Sequence, residues 1–194
     1  AIKLYPEQPI LKCKLAEIYR SQGFVDQTQA TLIELMKEEA LPPSILLNIA
    51  QEFLAIHQPA LAQKCLEKVL SQKEKLDSES EYLLQYLSSL THFQNGNPEA
   101  AYQEIIKALQ GNNQSKAGLK LLAEISLQLE NLPEAIHSLE QLLAKNPNDI
   151  EANFQLFEIY RRCGELDKAR GVAAQLNYYT DSYNNFLAEF AYNI

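Results

Sequence analysis

Apolar residues recur along this chain at helical spacing, in short stretches that come in pairs separated by turn residues. Between Lys116 and Asp149, Leu119, Leu122, Ala123 and Ser126 mark one face of a first helix, and Asn131 to Ala135 forms a turn into a second. Pro133 suits the first turn of that second helix, where its missing N–H costs nothing, and Asn131 or Leu132 falls near the cap. The second helix carries Ala135, Leu139, Leu142 and Leu143 in one stripe and stops at Asn146, Pro147 and Asn148.

The same pattern returns elsewhere at a spacing of 34 residues. From Ile150 it gives Leu156, Phe157 and Tyr160, a turn at Gly164, then Leu166, Ala169 and Ala173. From Pro43 it gives Leu46, Ile49, Ala50 and Phe53, then Pro59, Ala62, Leu66 and Val69. From Pro9 it gives Leu15, Ala16, Tyr19 and Gly23, then Leu32, Leu35 and Met36. The middle window, Ser78 to Gln114, is longer, and its halves fit if about one extra residue is allowed before the Gly96 turn. After Leu176, Tyr183, Phe186, Leu187 and Phe190 recur at helical spacing, which predicts a capping helix over 181–192. Those aromatics would alternatively form an interface with another copy of the chain.

The stretches LAEIYRSQGFVDQTQATL, NIAQEFLAIHQPALAQKCLEKVL, LLAEISLQLENLPEAIHSLEQLLAKNPND and LFEIYRRCGELDKARGVAA resemble the tetratricopeptide repeat family over residues 9–176. The resemblance implies an all-α, right-handed superhelical solenoid of about five antiparallel helix hairpins with a C-terminal capping helix. Its repeats would occupy 9–42, 43–76, 78–114, 116–149 and 150–180 of a single domain. Thr28 stands where the family carries a small alanine, and the family's early first-helix aromatic is replaced by Lys12, Leu46, Leu84, Leu119 and Asn153.

In such arrays the first helices line a concave groove that binds peptides or assembles complexes. Carried over, the groove set is Glu17, Arg20, Leu47, Gln51, Leu54, Gln85, His92, Lys120, Glu124, Leu127, Phe154, Glu158 and Arg161, with Cys13 beside it. One subclass clamps a C-terminal carboxylate with an asparagine where this chain has Glu17, Gln51, Glu124 and Glu158, so that mode is not expected. Leu47, Leu54, Leu127 and Phe154 suit an amphipathic helix or an apolar segment instead.

Composition narrows the partner. Seventeen basic against twenty-five acidic side chains leave a formal charge of -8, unfavourable for nucleic acid or anionic lipid. Arg161, Arg162, Lys168 and Arg170 form a small basic cluster with Glu158, Glu165 and Asp167 beside it, which reads as a self-paired solvated face. The three cysteines form no CxxC, and His57, His92 and His137 lie in different hairpins, so no metal or cofactor is expected. No phosphate-loop, zinc-hydrolase or serine-nucleophile motif is present, so the chain is expected not to be an enzyme.

The expected role is a scaffold that binds another protein or peptide, with homo-oligomerisation through the Tyr-rich end, or docking within a larger enzyme or secretion-associated protein, as the alternatives. No apolar run is long enough to cross a bilayer. The start at Ala1 without methionine suggests a piece of a longer protein, cytoplasmic or with a periplasmic or membrane-tethered parent.

Overall fold

The computed structural model describes residues 9–38, 40–72, 74, 76–112 and 115–179, the side chains of 177–179 excepted. The capping helix expected over 181–192 lies outside them. Ten helices and no strand occur among the described residues: α1 (Pro9–Ser21), α2 (Val25–Leu35), α3 (Pro43–Ala55), α4 (Pro59–Leu70), α5 (Ser78–Gln94), α6 (Pro98–Gly111), α7 (Lys116–Gln128), α8 (Leu132–Lys145), α9 (Ile150–Arg162) and α10 (Leu166–Tyr179). They pair as five antiparallel hairpins in two compact units, Ala1–Asn113 and Gln114–Ile194, each with its own core.

Every hairpin turns through one left-handed residue: Gly23, His57, Gly96, Glu130 or Gly164. The N–H of the next residue then reaches back into the first helix. Phe24 N–H donates to Tyr19 O at 2.8 Å, and the same bond runs from Gln58 to Phe53 (2.8 Å), Asn97 to His92 (3.0 Å), Asn131 to Ser126 (2.8 Å) and Glu165 to Tyr160 (2.9 Å). This backbone closure satisfies a carbonyl that the helix end would leave without a partner. The second helix follows at once, with Pro in its first turn in α4, α6 and α8 and an Asn side chain capping α6 and α8.

Where the two helices of a hairpin cross, small residues let the backbones approach. Ala16 faces Thr28, whose hydroxyl donates to Phe24 O at 2.9 Å and to Ala16 O at 3.4 Å. Thr28 is fully buried, and these bonds account for a hydroxyl at a position the family fills with alanine. Ser89 repeats the arrangement from the other side, donating to Ala101 O at 2.7 Å.

The core of the first unit runs without a break from Cys13 and Ala16 on α1, through α2, α3 and α4, to Leu84 and Leu87 on α5. Seven of the thirteen residues of α3 are buried, because both α1 and α5 pack against it. The second unit is filled by Leu119, Leu122, Ile125, Leu139, Leu142 and Phe157, with other apolar residues from the same helices.

Candidate protein-binding surface

The left-handed turn residues fix which side chains are equivalent from hairpin to hairpin. Gly23, His57, Gly96, Glu130 and Gly164 follow one another at spacings of 34, 39, 34 and 34 residues. Counting back from each turn, Cys13, Glu17 and Arg20 of α1 correspond to Leu47, Gln51 and Leu54 of α3, to Lys120, Glu124 and Leu127 of α7, and to Phe154, Glu158 and Arg161 of α9. These are three positions on one face of each first helix.

In the first unit that face is polar on α1. Glu17 is exposed and takes a bond from Lys14 Nζ at 2.7 Å, and Arg20 Nε donates to the Glu52 carboxylate of α3 at 2.8 Å. A hollow of about 200 Å³ lies between α1 and α3, with Cys13, Glu17, Asn48 and Gln51 in its walls. The structure corrects two expected groove residues. Leu47 and Leu54 are 1% and 2% exposed and belong to the core, because α1 and α5 close over α3 from both sides. They cannot offer an apolar surface to a partner, and Gln51 is what α3 presents.

The middle hairpin needs a second correction. Its counterparts to Cys13, Glu17 and Arg20 are Tyr86, Leu90 and Phe93, not Gln85 and His92. The five additional residues divide into one between the starts of α4 and α5 and four at the start of α5, a whole extra helical turn capped by the Asp77 carboxylate on Ser80 N–H at 2.8 Å. A single-residue allowance before the turn therefore leaves the register wrong by one position, about 100° around the helix. Counting back from the Gly96 turn recovers it from sequence. Tyr82, Tyr86, Leu90 and Phe93 then fall on one face of α5, all half-buried, with the Tyr82 and Tyr86 rings stacked at 6.1 Å between centroids.

In the second unit α7 and α9 carry a mixed face. Lys120 Nζ reaches Glu151 at 2.8 Å and Asp149 at 3.4 Å. Glu124 is exposed as a whole residue, but burial around its carboxyl, then the nearby Glu151 charge, raises its pKa, with Lys120 pulling the other way. Leu127 and Phe154 are half-buried, and Glu158 is bonded by Arg161 at 2.7 Å. Three members of the basic cluster are paired close in sequence: Arg161 with Glu158, Lys168 with Glu165, and Arg170 with Asp167 at 3.4 Å.

Burial pushes the Cys13 thiol up to about 11 and the Cys65 thiol up to about 12, so both stay protonated and unreactive. Burial, then the bond to Glu140 at 2.8 Å, raises the Tyr160 hydroxyl above its ordinary range. Among the described residues no cluster of three His, Cys, Asp or Glu could hold a metal, and no helix is long and apolar enough to cross a membrane.

Residues 126–188 match the tetratricopeptide repeat family, and residues 56–142 match the family described as anaphase-promoting complex, cyclosome, subunit 3. The chain contains tetratricopeptide-type repeats. Its repeats are similar in fold to PilW, a type IV pilus biogenesis factor, with 18% identity over 96% of this chain and 86% of that one and a TM-score of 0.82. They are also similar to PilF of Pseudomonas aeruginosa, with 17% identity, 89% and 76% covered and a TM-score of 0.70. A kinesin light chain of Podosopora anserina with nearly identical repeats gives 19% identity, 92% and 99% covered and a TM-score of 0.71. No functionally curated protein matches the sequence.

Proposed function

We propose that this chain is a non-catalytic scaffold that holds an apolar or amphipathic segment of another protein on its first-helix faces and so brings that protein into a larger assembly. The observation that carries the reading is the row of half-buried Tyr82, Tyr86, Leu90 and Phe93 on α5, beside exposed Gln51 on α3 and Glu17 on α1. An apolar row with a polar margin matches the usual anatomy of a protein interface, where aromatic anchors lose water and a polar rim stays wet. In the second unit the binding set is Lys120, Glu124, Leu127, Phe154, Glu158 and Arg161, with Leu127 and Phe154 as the apolar contacts. The likeness to PilW gives the fold a precedent in an assembly system.

The test is affinity capture from native lysate with three baits: the parent chain, Phe93→Glu with Leu127→Glu, and a second-helix control, Gln103→Glu with Lys145→Glu. Circular dichroism verifies that all three fold. A partner held by the parent and the control and lost by the first-helix variant is expected. Retention by the first-helix variant overturns the assignment of the surface.

A further inference from the structure

The seam between the second and third hairpins holds a cavity of about 420 Å³, on the side of α5 away from Tyr86 and Phe93. Its walls come from α4, α5 and α6. Counted from the turns, Gln85, Ser88, His92 and Glu104 there replace Leu46, Ile49, Phe53 and Cys65, which are at most 1% exposed at the corresponding places one hairpin earlier. In that earlier seam Cys65 Sγ lies 3.6 Å from Met36 Sδ, and Lys68 Nζ donates to Met36 O at 3.1 Å, so the end of α2 is closed down. In the later seam the counterpart of Met36 is Leu70, which is 52% exposed, and the counterpart of Lys68 is Lys107, which turns to Glu104 at 2.7 Å. Polar groups have displaced the apolar seal, and the space they leave is within the roughly 300–1,000 Å³ of ordinary ligand sites.

We propose that this cavity binds a guanidinium group carried on an aliphatic stem. The lining sets the class. Glu81 and Glu104 supply two carboxylates against the single ammonium of Lys107, leaving one negative charge in excess, the complement of one cation. Gln85, Ser88 and His92 add acceptors for the remaining N–H groups of a planar five-donor fork, and Leu70 and Leu84 line the path of its methylenes. The cation is either an arginine side chain of a partner protein or a free small guanidinium. The site shares no residue with the first-helix row, so it stands independently of the scaffold reading.

The experiment is an amide NMR titration of the full chain with agmatine, with acetyl-Gly-Arg-Gly-amide, and with the norleucine analogue of that peptide. Saturable shifts centred on Gln85, Ser88 and His92 are expected from the two guanidinium probes and none from norleucine. Tighter binding of the peptide assigns the site to a partner's arginine, and tighter binding of agmatine to a free ligand. Glu81→Gln and Glu104→Gln should each weaken binding by about tenfold, and Ser88→Leu, which fills the cavity, should abolish it while unchanged circular dichroism shows the fold intact. No saturation by either guanidinium probe in the millimolar range, or equal response to norleucine, overturns the proposal.

Discussion

Five residues in left-handed backbone close the five hairpins, but only three of them are glycine. Nothing lies within 4 Å of a Cβ built on Gly23, Gly96 or Gly164, so the cost of a side chain there is conformational alone. His57 (φ 55°) and Glu130 (φ 57°) bear that cost, on the order of 1–2 kcal/mol for a residue with a Cβ. Glycine recovers it but loses roughly 0.5–1 kcal/mol to the greater freedom of the unfolded chain. Glu130→Gly should therefore stabilise by about 0.5–1 kcal/mol, and Gly164→Ala should destabilise by a similar amount. Urea midpoints of the two variants test this, and movement in the same direction would contradict it. Ser126 offers a second residue-scale test. It occupies the place of Tyr19, Phe53, His92 and Tyr160 in the other hairpins, and its buried hydroxyl has no bonding partner. Removing an unsatisfied buried polar group recovers part of its desolvation penalty, so Ser126→Ala should raise Tm, and a lower Tm would mean that the hydroxyl is satisfied.

At the scale of the element, α9 begins on a cap that also titrates. Asp149 accepts from Ala152 N–H at 3.1 Å and from Asn146 at 3.3 Å, and Lys120 Nζ lies 3.4 Å away. Burial pushes its carboxyl upward, but the cap bond and the Lys120 charge outweigh that and hold its pKa below the ordinary carboxylate range. A depressed folded pKa contributes stability that is fully present above the unfolded value of about 3.9 and is lost as pH falls through the lower folded value. Asp149→Asn keeps an acceptor at the cap but removes this titration. The Tm gap between parent and variant should be widest near neutrality and close as pH falls through the lowered folded value; a gap independent of pH would assign the effect to the cap bond alone.

The same scale explains what could be read from sequence. The 34-residue rhythm, the Pro and Asn at second-helix starts, and the small crossing residues all act locally, so hairpin after hairpin was legible. The extra turn of α5 was not, because Ser78 to Glu81 extends a helix at its start and leaves the apolar pattern after it intact. A window opened from that end misplaces Gln85 and His92 and passes over Tyr86, Leu90 and Phe93. Leu47 and Leu54 were misread for a different reason. Their burial depends on α1 and α5 packing from both sides, a tertiary fact that position on one helix face does not carry.

Within each unit, the neighbours of a hairpin set how far a loss of packing spreads. Repeats bury their faces against neighbours, so local stability is a hairpin term plus interface terms. In the first unit α3 has an interface on each side, and its Leu54 sits in a core cluster continuous from Cys13 to Leu87. Leu54→Ala should cost about 2–5 kcal/mol, and hydrogen exchange should quicken across α1, α3 and α5 together. Phe93→Ala, at the half-buried edge of α5, should cost less and quicken exchange in α5 and α6 alone. Leu54→Ala would then weaken partner binding only in proportion to unfolding, whereas Phe93→Ala would weaken it in a chain that remains folded. That split separates a core residue from a contact residue, and a Leu54→Ala chain that stays folded yet loses its partner would return Leu54 to the binding surface.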